Sequence, residues 1–145
     1  MSTVLLDDHL LRDLLADEVG GALASLLEGS EPATTNLYLY RLCRSALAAS
    51  GGALTGSWAA ARRRQLAAAL LGLPEHVTIV PMRDLAVEMA GFASSEGLST
   101  LGAEAVAASA RLSAPLCVWE GDDGPRIRAA MARRGADYRL VPRER

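Results

Sequence analysis

Residues 3–6 run without a polar break and stop at two adjacent carboxylates, Asp7 and Asp8. So short a continuous run reads as a strand buried on both faces. The period then changes. Leu10, Leu11, Leu14, Leu15 and Val19 recur at helical spacing, with Arg12, Asp13, Asp17 and Glu18 turned away from that apolar face. Asp8 is a fair cap for this helix, because its carboxylate can accept from free first-turn amides. Gly20-Gly21 breaks the run, and residues 22–28 read as a second short helix.

The alternation continues. Residues 31–35 predict a turn and a short extended piece. A helix follows over residues 36–49, with Leu39, Leu42, Cys43, Ala46 and Leu47 inward and Tyr38 and Tyr40 half-buried. Residues 50–56, rich in Gly, read as a surface loop. Ser57 can cap a helix over residues 58–71 that carries Arg62, Arg63 and Arg64. Gly72 to Pro74 end it. Residues 77–80 are a strand, and Pro81 opens a helix to about residue 95, with Leu85, Met89 and Phe92 inward. Gly97 ends that helix, and an Ala-rich one over residues 103–112 lies close to its neighbours. Residues 116–119 form a strand followed by Glu120, Asp122 and Asp123. A basic helix over residues 126–134 and a strand over residues 138–141 precede a short tail.

Helices alternating with continuously apolar strands imply a three-layer α/β/α sandwich. Its central parallel sheet has about four to five strands, in a single domain spanning residues 1–145. Half the residues are apolar, which excludes a disordered chain. No apolar run reaches the roughly 18 to 20 residues of a membrane span, and no signal peptide is visible, so a cytoplasmic location is expected. Cys43 and Cys117 read as two buried thiols, and two histidines leave no zinc-ligand spacing. All 15 basic residues are Arg, and the formal net charge is -2. That weak charge argues against strong non-specific binding to a phosphate backbone, although the Arg content rises towards the C-terminus.

Two strands end in acids. If they are neighbours, Asp7 and Glu120 point into one crevice at the carboxyl edge of the sheet, with Asp122 two residues on. Clustered carboxylates persist where a hard cation neutralises them, so Mg²⁺ or Mn²⁺ is the expected partner. Such an ion suits phosphodiester cleavage. The competing role for an acid after a strand is a helix cap. No phosphate loop, dinucleotide fingerprint or nucleophile–histidine arrangement is recognisable.

The chain resembles the PIN-domain family, whose small members include the VapC-type toxins of toxin–antitoxin pairs. The likeness runs from Thr3 to Val141. It rests on the opening Val-Leu-Leu-Asp-Asp-His-Leu-Leu, on the helix opening at residues 97–107, on the strand-then-acids segment 113–122 and on the closing turn and strand 135–141. The resemblance implies a single-metal ribonuclease site built from four acids. Asp7 matches the first and Glu120, with Asp122 beside it, the fourth. The second falls at Tyr40 or Arg41 and the third at Gly102, none of which ligates a cation. Glu104 lies about 200° round the helix from Gly102. A guanidinium near the cleft could pair with Asp7 instead of a metal.

Two readings follow. In one, the chain is a catalytically degenerate PIN-like module acting through a partner, either an antitoxin-like protein or RNA. In the other, it is an Mg- or Mn-dependent endoribonuclease using Asp7, Glu120 and Asp122 as catalytic and metal-binding residues. Candidate nucleic-acid contacts are Arg62, Arg63, Arg64, Arg126 and Arg128, with Arg133 and Arg134 behind them. Such domains commonly pair, so a homodimer is expected.

Overall fold

A computed structural model of the chain describes residues 2–48 and 52–142. Five strands form one sheet: β1 (Ser2–Leu6), β2 (Ser30–Thr35), β3 (Thr78–Val80), β4 (Leu116–Trp119) and β5 (Tyr138–Val141). Their order is β3-β2-β1-β4-β5, and every pairing is parallel. Seven helices connect them: α1 (Asp8–Leu15), α2 (Gly21–Leu27), α3 (Asn36–Leu47), α4 (Ala60–Leu71), α5 (Ala86–Glu96), α6 (Thr100–Leu112) and α7 (Pro125–Arg133). Single turns of 3₁₀ helix at Met82–Asp84 and Glu120–Asp122 follow β3 and β4.

The three layers follow from the strand period of two. Leu5, Ala33, Leu116 and Val118 face one side and pack with α5, α6 and α7. Val4, Leu6 and Cys117 face the other and pack with α1 and α2. Leu11, Leu42, Ala46, Leu54 and Leu66 form a third cluster that joins α1 to α3 and α4. The expected parallel sheet and three layers are present. No helix among the described residues is long and apolar enough to cross a membrane.

Several local expectations are corrected. The segment expected to hold a turn is a full strand, β2, in which Pro32 pairs with Val4. β3 joins β2 only from Ala33 onwards, so the proline lies where β2 has one neighbour and can lack a donor. Ser57 caps nothing, since α4 starts at Ala60 after Ala59 without a side-chain cap. The expected end of α3 at residue 49, part of the 50–56 loop and the last three tail residues lie outside the described residues. Leu47 is 75% exposed rather than inward, and Tyr40 is exposed while Tyr38 is buried. Arg12 and Asp13 are buried, not turned to water. Arg12 Nη1 donates to the Leu54 carbonyl at 2.7 Å and Nε donates to Asp13 at 3.0 Å. Of the two thiols, Cys117 is buried and Cys43 only partly so.

After β4 the chain folds tightly back on itself. A Cβ built on Gly121 meets Trp119 ring carbons at 2.3 to 2.7 Å, so only glycine lets the indole lie there. Gly121→Ala is expected to cost about 1–3 kcal/mol in urea unfolding, the usual range for overpacking. Gly91→Ala, on α5 with open space around it, is expected to gain about 0.5–1 kcal/mol in the same measurement.

Candidate metal centre at the sheet's carboxyl edge

β1 is the strand at which the chain changes direction across the sheet. β2 and β3 build out on one side of it, β4 and β5 on the other. The crevice outside the carboxyl ends of β1 and β4 is therefore the topological switch point, where open α/β sheets take their ligands. Asp7 is the first residue beyond β1.

Asp7, and not Asp8, caps α1. Its backbone is extended, and Oδ1 accepts from the Leu10 amide at 2.9 Å. Oδ2 accepts from the Trp119 amide at the end of β4, at 3.1 Å. One carboxylate thus ties the end of β1, the start of α1 and the end of β4. It is 1% exposed. Burial pushes its pKa from 3.8 up to about 7; the Leu10 amide opposes that rise and the Asp8 charge adds to it.

Asp8 lies in the first turn of α1 and is wholly buried. Its Oδ1 faces His9 Nδ1 at 3.1 Å, and its Oδ2 lies 3.1 Å from Arg41 Nη1. The guanidinium expected near the cleft therefore pairs with Asp8, not with Asp7. That contact is an ion pair without hydrogen-bond alignment, since Asp8 Oδ2 accepts no hydrogen bond.

His9 completes the cluster, although the spacing of the two histidines gives no sign of it. Nδ1 lies 3.6 Å from Asp122 Oδ2 and 4.0 Å from Asp7 Oδ2. Its ring packs on Trp119 with centroids 4.8 Å apart. Only its place directly after two acids at a strand end could have singled it out. Asp7, Asp8, His9 and Asp122 bring one ligand atom each within 4.8 Å of one another, so this group could hold a metal ion. Glu120 is exposed, and no ligand atom of it joins the group. The turn Glu120–Asp122 sends the third residue, not the first, back towards β1.

Two further expectations resolve here. Glu104 is wholly buried inside α6, and its Oε1 accepts from the Leu37 amide at 2.8 Å, at the start of α3. Burial raises its pKa. It braces the helix that carries Tyr38 and Arg41 and takes no place in the cluster. Gly102 is buried, and a Cβ there would stand 3.1 Å from Ile127. The phenol of Tyr38 is buried close enough to Asp7, Asp8 and Asp122 for their charges to raise its pKa, after burial itself.

The candidate arginines mostly face their own chain. Arg62 pairs with Glu18 and lies over the Trp58 ring, Arg63 donates to the Trp58 carbonyl and Arg126 to the Gly97 carbonyl. Arg128 pairs with Asp123 and Arg133 with Glu96, while Arg134 lies over Phe92. Arg64 is exposed on α4.

No family model matches the chain, and no curated protein matches it.

The raised Asp7 pKa fixes the sign of a pH dependence. A group that binds its proton more tightly when folded adds stability below its unfolded pKa and loses it as pH rises through the folded value. In chelator-treated protein, stability is expected to fall as pH rises from about 4 to about 7. The slope from this group approaches about 1.4 kcal/mol per pH unit. Asp7→Asn is expected to flatten that decline in urea unfolding at stepped pH. Asp7→Ala, which loses both amide bonds, is expected to destabilise at every pH.

Proposed function

We propose that this protein is a PIN-like endoribonuclease that depends on Mg²⁺ or Mn²⁺ held in the β1/β4 crevice. The observation that carries this reading is the convergence of Asp7, Asp8, His9 and Asp122 on the switch point of the sheet. The donors suit a cation in spacing. Around an octahedral ion at about 2.1 Å, adjacent donors stand about 3.0 Å apart and opposed donors about 4.2 Å. The distances from His9 Nδ1 to the three carboxylates, 3.1, 3.6 and 4.0 Å, span that interval.

They suit it in charge as well. With Asp7 ionised, as it is above pH about 7, three carboxylates against the single guanidinium of Arg41 leave the crevice two formal charges negative when the imidazole is neutral. Arg41 faces Asp8 Oδ2 while Oδ1 stays on the His9 side, so the guanidinium and a cation would use different oxygens. A divalent ion bound there supplies Lewis-acid stabilisation for charge developing on a phosphoryl oxygen. The chain's own residues set the stage. Asp7 is fixed by its two amide bonds, Trp119 packs on one face of His9, and Asp122, 46% exposed, is the member of the group open to solvent.

A second reading is favoured by Arg41 and Gly102, which stand where the PIN resemblance calls for acids. On that reading the chain cleaves nothing and works through a partner, either an antitoxin-like protein or RNA.

Calorimetric titration with Mn²⁺ separates the two. The first reading expects saturable binding, weakened at least about tenfold by Asp122→Asn, a 1.4 kcal/mol loss, and unchanged by Glu120→Gln. It also expects Mn²⁺-dependent cleavage of single-stranded RNA that Asp122→Asn abolishes. No binding at millimolar Mn²⁺ would sink it and leave the partner reading.

A further inference from the structure

The arginines named from the sequence lie on α4 and α7, and the ion pairs above occupy most of them. A different pair lies beside the crevice. Arg41 and Arg44 are three residues apart on α3, so their side chains share one face of the helix. Arg41 reaches the crevice through Asp8 yet stays 40% exposed. Arg44 is exposed, and no described residue is seen to pair with its guanidinium, while its carbonyl accepts from the Ala48 amide.

Both line a cavity of about 360 Å³, walled by Ser45 on α3, by Ala48 just after it and by Gly52 to Leu54 opposite. No described acid lines it. Two other cavities with an arginine in their walls do carry a carboxylate, Asp137 beside Arg128 and Asp17 beside Arg62. Its wall is held in place. Ser45 Oγ accepts from the Leu54 and Thr55 amides at 3.2 and 3.1 Å, and the Thr55 hydroxyl donates to the Ser45 carbonyl at 2.8 Å. A Cβ on Gly52 would stand 2.8 Å from Ser45 Oγ and 3.0 Å from Ser45 Cα, so the two segments lie too close for any side chain there.

We propose that the Arg41–Arg44 groove is a phosphate subsite, which leads the backbone of a single-stranded polynucleotide along α3 to the Asp7–Asp122 crevice. The ligand class rests on the ribonuclease reading; the groove rests on its own geometry. Guanidinium groups bind phosphate by forked, charge-assisted hydrogen bonds, and Arg41 offers the same group to the groove and to Asp8. Arg44 has a competing role, since a cation in the last turn of a helix also favours the free carbonyls there. That role predicts a loss of stability and no loss of binding.

The test uses a fluorescently labelled oligouridylate of 12 nucleotides and the full chain in chelator, with anisotropy read at several salt concentrations. Wild type is expected to bind. Arg44→Glu is expected to weaken binding at least about tenfold and to lower the salt slope by about one. Arg44→Gln, folded by its thermal midpoint, should weaken it less. Arg62→Glu and Arg128→Glu should stay within about twofold of wild type, because those side chains serve ion pairs. Unchanged binding in both Arg44 variants, or no binding by wild type, overturns the subsite. A parallel Mn²⁺ titration keeps the two proposals apart. Oligonucleotide binding that depends on Arg44 without Mn²⁺ binding keeps the subsite and removes the nuclease; the converse removes only the subsite.

Discussion

A carboxylate shut away from water needs donors or counter-charges, and Asp7 is placed where both converge. It stands one residue beyond the central strand, takes an amide from the first turn of α1 and another from the end of β4. The backbone adds a third tie, from the Asp7 amide to the Cys117 carbonyl at 3.1 Å. These bonds fix where the helix leaves the sheet and how closely the two halves of the sheet meet at the switch point. His9, Trp119 and Asp122 take their positions from that junction. An acid kept only as a cap needs one amide. Asp7 has two amides, a second acid beside it and a raised pKa, and it belongs to the group that could hold a metal ion.

Charge is distributed with a clear asymmetry. Away from the crevice, several arginines meet acids or aromatic rings of their own chain: Arg62 with Glu18 and Trp58, Arg128 with Asp123, Arg133 with Glu96. Such exposed pairs add little stability. They do withdraw positive charge from the outer surface. At the crevice the balance runs the other way, with three carboxylates against Arg41, and just beyond it Arg44 stands outside the pairing. Negative site and positive groove therefore adjoin along α3, the arrangement that a cation and a polyanion would use together.

The layers and most of the strands were legible in the sequence, because short apolar runs such as residues 116–119 have few other uses, whereas β2, with Glu31, Pro32 and two threonines, carries no such run. The site was legible only in part. Asp7 and Asp8 are equally good caps on paper, and the choice turns on which has extended backbone, a property of the turn. Glu120 and Asp122 are both acids after a strand, and one turn of 3₁₀ helix decides which returns to β1. The partner of Arg41 could be narrowed to a cleft acid, yet choosing Asp8 over Asp7 needs the orientation of α3 against α1. Glu104 looked displaced from its helix face because the sequence does not show that the start of α3 lies against that face. Burial of Arg12 was hidden for a similar reason, since its acceptor is a carbonyl 42 residues away.

One buried carboxylate joins the strands and belongs to the group that could hold a cation. Carbon-13 NMR of the Asp7 carboxyl, titrated in chelator and again with saturating Mg²⁺, tests both halves at once. The account predicts a metal-free midpoint near 7 and a marked fall when the cation is present. A midpoint in the ordinary aspartate range near 3.8, unmoved by the cation, would contradict it.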